Sequence, residues 1–150
     1  MATEDREPQE VPVLWAQAQK DMMIDQIEQL QPEEVYVFVF GSNLNGWHGA
    51  GAAREARELY GAKWGQGIGP QGSSYAIPTK GRLLNTLPLE IIQIHIDYFL
   101  VYAKEHPDVM FFVTRVGCGL AGYKDEEIAP MFKNAPDNVQ FQEPSWRQIP

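Results

Sequence analysis

Two strongly apolar runs, residues 35–40 and 109–116, each pass directly into a glycine-rich loop, and each loop leads on toward a helical segment. The first run, Val35-Tyr36-Val37-Phe38-Val39-Phe40, is β-branched or aromatic throughout. A strand of that kind is apolar on both of its faces, so it has to lie inside a parallel or mixed sheet that is covered on both sides. Strands that alternate with helices then predict an α/β domain, a three-layer α/β/α arrangement with a mixed sheet. The remaining elements follow from periodicity and punctuation. A helix is expected over 49–60, with Ala50, Ala53, Ala56 and Leu59 as its packing face. A short strand is expected over 74–78. The clearest helix spans 87–106, with Ile91, His95, Tyr98, Phe99 and Tyr102 on its apolar face, widened by Ile92, Ile96 and Ala103. A helix over 125–135 is interrupted by Pro130, and a last short strand is expected over 138–142. Residues 61–72 contain five glycines and a proline, too many for a regular element. Gly65-Gln66-Gly67-Ile68-Gly69-Pro70 is not a dinucleotide loop, because no strand precedes it and a proline follows, and it reads as a mobile loop on the rim of a cleft.

The chain of 150 residues has room for one main core. Residues 1–34 read as a polar lead-in followed by an amphipathic helix over 13–30, and 35–150 as the compact domain. A formal charge of −8, with no lysine or arginine cluster, argues against free nucleic acid as a partner. No apolar run is long enough to span a membrane. The acidic N-terminus and a single cysteine lead to the expectation of a cytoplasmic protein. Three scattered histidines and one cysteine show no metal-ligand spacing, and no cofactor is implied.

In α/β sheets, ligands bind at the carboxyl ends of strands. Glycines let a ligand approach the backbone closely, and a following helix N-terminus adds positive dipole. Two such loops side by side make an anion cradle that needs no lysine. Turns alone require one or two glycines. Gly41, Gly46, Gly49 and Gly51 exceed that number, as do Gly117, Gly119 and Gly122.

Phe40-Gly41-Ser42-Asn43, then Gly46 and His48-Gly49-Ala50-Gly51-Ala52-Ala53, resembles the first ligand loop of macro domains. Thr114-Arg115-Val116-Gly117-Cys118-Gly119-Leu120-Ala121-Gly122-Tyr123 resembles their second loop. The chain is similar to bacterial and phage-associated proteins carrying these two loops together with a Ser-Tyr-Ala-Ile-Pro-Thr-Lys segment, a likeness that spans roughly residues 35–142. The resemblance implies a macro-type fold and a small-molecule nucleotide ligand, ADP-ribose or an NAD-derived relative. The loops 41–51 and 117–123 would hold its diphosphate and distal ribose. Asn43 would contact that ribose, and Tyr123 would pack on the ribose or phosphate. Tyr75-Ala76-Ile77-Pro78-Thr79-Lys80 is similar to a segment of terminal ADP-ribose protein glycohydrolases, in which the matching lysine attacks the sugar. That implies Lys80 as a catalytic candidate. The aspartate those enzymes carry after Gly-Cys-Gly-Leu is here Ala121, and Asp125 follows four residues later. The glutamate pair of poly(ADP-ribose) glycohydrolases is also missing, so binding without efficient hydrolysis is the expectation. The alternatives are a hydrolase using Lys80 or His48, and a sequestering or interaction module of phage origin.

Three side chains remain between functional and structural readings. His48, inside the first loop, is a ligand contact or proton carrier on one reading and a loop-stabilising residue on the other. Cys118 reads as packing, since no histidine is near it in sequence to activate the thiol. His95 reads as a satisfied core histidine. Trp64, Tyr75, Phe141 and Trp146 are the aromatics available to stack on a base or to fill the core.

Overall fold

The computed structural model describes residues 35–150, and the lead-in and helix expected within 1–34 lie outside the described residues. Five strands, β1 (Val35–Asn43), β2 (Gly69–Gln71), β3 (Ser74–Lys80), β4 (Val109–Val113) and β5 (Val139–Phe141), form one sheet in the order β2-β3-β1-β4-β5. β1 is central and pairs in parallel with β3 and with β4, β4 pairs in parallel with β5, and only the short edge strand β2 runs antiparallel. Among the described residues three helices accompany the sheet: α1 (Gly51–Leu59), α2 (Leu89–Glu105) and the single turn α3 (Asp125–Ile128), which passes into a 3-10 turn over Ala129–Phe132. Pro130 is what tightens the expected 125–135 helix into that turn, since its ring and missing N–H are tolerated only in a first turn.

Alternation along β1 sends its side chains to two different layers. Val37 and Val39 join Ile77, Phe111, Val113 and Phe141 under α2, where Ile92, Ile96, Phe99 and Leu100 close the main core. Phe38 and Phe40 point the other way. Phe38 stacks on Tyr60, the C-cap of α1, with ring centroids 4.4 Å apart, and Ala56 and Leu59 of α1 are buried on the same side. Helices on the two faces of a mixed sheet make the α/β architecture expected from the alternation of elements.

Three local expectations are corrected. The segment 61–72 is not a free loop: it contributes the edge strand β2, and Gly65 N–H donates to Gly46 O at 2.9 Å. The inward face of α2 is Ile92, Ile96, Phe99, Leu100 and Ala103, whereas Ile91 and Tyr98 are exposed. His95 is half-buried on the flank of that helix, and its Nδ1 has no hydrogen-bond partner among the described residues, so it is not a satisfied core histidine.

Candidate functional site

β1 and β4 are neighbours, yet their connections leave toward opposite faces of the sheet. The loop after β1 runs to α1 on the Phe38 side. The loop after β4 runs to α3, whose Ile128 lies in the main core with Val113 and Val116. Adjacent parallel strands whose loops diverge in this way form a topological switch point, and the carboxyl ends of such strands are the usual ligand position in open α/β sheets. Gly41 and Gly117 lie side by side at this point. A Cβ on Gly41 would stand 3.5 Å from Gly117 N and 3.6 Å from Thr79, so three strand ends converge there.

The first loop is held by buried polar bonds. Asn43 closes it on itself: its Nδ2 donates to Trp47 O at 3.0 Å, and Trp47 N–H donates to its Oδ1 at 2.9 Å. The Ser42 hydroxyl donates to Gly67 O. His48 is fully buried, at 0% exposure, edge-on to Phe40. Its Nε2 lies 2.9 Å from Gln66 O and 3.3 Å from Gln71 Oε1, while Nδ1 is buried with no partner among the described residues. Gln71 extends the network, accepting Lys63 N–H at 2.8 Å and donating to Gln66 O at 3.0 Å. The loop expected to be mobile is thus bolted to the first glycine loop. Gly46 is required by that junction: its φ is +72°, and a Cβ would lie 2.3 Å from the Gln66 backbone nitrogen.

The second loop is held from outside. The Arg115 guanidinium donates to the Asp125 carboxylate twice, each at 3.0 Å, and the Trp146 indole donates to Asp125 Oδ1 at 2.9 Å. These donors hold the Asp125 carboxyl below its ordinary range, with the Arg115 hydrogen bond as the leading cause. Cys118 lies beside this pair. Burial pushes its thiol up to about 11, and the negative charge of Asp125 adds to the shift. It is a neutral packing thiol at ordinary pH. Tyr123 N–H donates to Gly117 O at 2.9 Å, and its hydroxyl donates to Leu87 O at 2.6 Å.

A third connection, 81–88 after β3, joins the two loops and was not anticipated from the sequence. Asn45 Nδ2 donates to Arg82 O at 2.6 Å, and Thr86 Oγ1 donates to Ala121 O at 3.0 Å. Leu84 sits there with φ +62°, the one non-glycine residue in the left-handed region among those described. The signal in the sequence was the pair Gly81 and Asn85, which closes the turn through Gly81 N–H to Asn85 O at 2.8 Å.

Several expected site residues remain open at this edge. Gly49, Ala50 and Gly51 are exposed, as are Gly119, Leu120 and Gly122, with Ala121 half-exposed. Among the described residues, no acceptor pairs with the N–H groups of Gly49, Ala50 and Gly51 or of Gly119, Leu120 and Ala121. The first turn of α1 holds no acidic side chain. Lys80 ends β3 in register with Asn43, is half-buried, and has no carboxylate in ion-pair range among the described residues. By contrast Ser42 and Asn43 have their side-chain polar atoms committed to the fold, and His48 commits its Nε2 while its Nδ1 stays buried without a partner among the described residues. Of the candidate base-stacking aromatics, Tyr75, Phe141 and Trp146 are buried, and Trp64 is exposed under the Arg57 guanidinium at 5.7 Å. Among the described residues, no group of three or more His, Cys, Asp or Glu is placed to hold a metal ion, and no helix is long and apolar enough to cross a membrane.

Comparison with known proteins adds no identification: no family model, no curated protein and no solved structure matches this chain.

Proposed function

We propose that the switch point at the carboxyl ends of β1 and β4 binds an anionic nucleotide, ADP-ribose or a related NAD-derived ligand, without turning it over efficiently. The observation that carries the reading is the divergence of two glycine loops whose outer N–H groups have no acceptor among the described residues. Backbone amides at a helix N-terminus and in a glycine turn are suited to a diphosphate. Lys80 supplies a positive charge at the same edge, which suits an anion in a chain of net charge −8. The macro-domain likeness of the two loops narrows the anion to ADP-ribose.

Binding is favoured over hydrolysis because the protons of a glycosyl transfer need a free carboxylate or imidazole near the sugar. Asp125 is tied to Arg115 and Trp146, and the His48 ring is sealed from solvent. The Lys80 amine, with no carboxylate in ion-pair range among the described residues, keeps a hydrolase as the second reading, with the lysine as nucleophile rather than phosphate contact.

Calorimetric titration with ADP-ribose, and with AMP and NAD as controls, tests the proposal. The expected result is binding tighter than about 100 μM, roughly −5.5 kcal/mol, with AMP much weaker. Gly119→Glu, which puts a carboxylate in the second loop, abolishes that binding. Heat that survives Gly119→Glu removes the cradle. No heat with any of the three ligands removes the nucleotide and favours an interaction module. Release of ADP-ribose from a modified protein, lost in Lys80→Ala, replaces the binder with the hydrolase.

A further inference from the structure

α2 is apolar on two sides, and the fold uses one of them. Ile92, Ile96, Phe99, Leu100 and Ala103 pack inward. Ile91, Ile94, Tyr98 and Val101 lie outward and are exposed, Tyr98 at 64%. Their spacing of three, four and three residues draws a straight apolar stripe along the helix, the pattern of a helix–helix seam. A contiguous stripe of this kind on a folded surface marks a contact site.

We propose that α2 pairs antiparallel with α2 of a second copy, about a twofold axis level with position 96. In that register Ile91 meets Val101 of the partner subunit, and Ile94 meets Tyr98 of the partner subunit. The flanking charges select this direction. Glu90, in the first turn, lies opposite Lys104 of the partner subunit, and the reciprocal pair forms at the other end. Neither Glu90 nor Lys104 has an ion partner among the described residues. The one like-charged meeting is Asp97 against its own copy, softened by the Gln93 Nε2 that donates to it at 2.9 Å. A parallel pairing would bring Glu90 beside His95 and leave Lys104 without a carboxylate. The 17-residue helix is about 25 Å long, so the seam alone buries less than the ~800 Å² per partner of a standard interface. A seam of that size makes a weak, reversible dimer rather than a permanent one. This inference is independent of the ligand reading.

Sedimentation equilibrium of the full chain from low to several hundred micromolar tests it. The expected result is a monomer–dimer equilibrium that Ile94→Glu weakens by more than tenfold. Lys104→Glu weakens it severalfold, adding Glu90→Lys to Lys104→Glu restores it, and Asp97→Asn tightens it. These positions are all exposed, and unchanged thermal melts confirm that the variants fold. A monomer at every concentration overturns the proposal, as does a dimer indifferent to Ile94→Glu. A dimer that Ile94→Glu breaks but the charge swap does not restore overturns the antiparallel register.

Discussion

The two glycine loops carry the same signature in sequence and are held in place by different physics. The loop after β1 is secured from within, by the buried hydrogen bonds of Ser42, His48 and Gln71 to the 63–69 segment. The loop after β4 is secured at the surface, by Arg115 and Trp146 gripping Asp125. Buried polar groups are expensive to leave unpaired, whereas an exposed ion pair is screened and contributes little. The first loop is thus held by burial, and the second leans on surface charges beside the neutral bonds of Tyr123 and Thr86. A glycine-rich loop is not one kind of object: another backbone crosses Gly46 where a Cβ would sit, whereas a Cβ on Gly119 would meet open space.

The comparison can be broken most severely at Gly46. Gly46→Val places a branched side chain at φ +72° against the Gln66 backbone, which cannot yield as a side chain would. Overpacking and backbone strain together cost about 3 kcal/mol or more, and the chain loses its cooperative melt. Gly119→Ala, with open space around the Cβ, leaves the melting temperature nearly unchanged. Equal effects would mean that the two loops are held alike. His48→Ala comes next. It removes the Gln66 and Gln71 contacts and opens a cavity beside Phe40, for a loss of about 2–4 kcal/mol by chemical denaturation. His48→Ala that melts like the wild type, yet loses ligand, would return His48 to the ligand.

The centre of the sheet was legible because β1 and β4 are apolar on two faces, and a run such as 35–40 admits few other fates. The position of the glycine loops at strand ends was legible for the same reason. What periodicity could not supply was contact between segments distant in sequence. His48 reads identically whether it faces a ligand or Gln71, 23 residues away. β2 is a three-residue strand carrying Pro70, and it exists because β3 offers it an edge, not because of its own propensity. On α2 the apolar positions surround much of the helix, so the sequence showed that it is apolar without saying which side is inward.

The smaller effects belong to the second loop and sharpen the contrast through pH. The Asp125 carboxyl is depressed in the folded protein, so its contribution is present above the ordinary carboxylate range and is lost as pH falls through the lowered value. Asp125→Asn therefore lowers the melting temperature modestly at pH 7, and the difference from wild type shrinks in acid, below about pH 4. The same variant acts on Cys118. With its thiol up at about 11, wild-type Cys118 reacts with iodoacetamide at pH 8 on the order of a hundredfold more slowly than a free cysteine. Burial, the larger cause of that shift, is untouched by Asp125→Asn, while the neighbouring negative charge is removed. The rate rises, yet stays below that of free cysteine. A rate in Asp125→Asn equal to that of free cysteine would mean that the carboxylate, with its grip on Arg115, was also what kept the loop closed over the thiol. The second loop would then depend on a single surface charge, a dependence the first loop does not share.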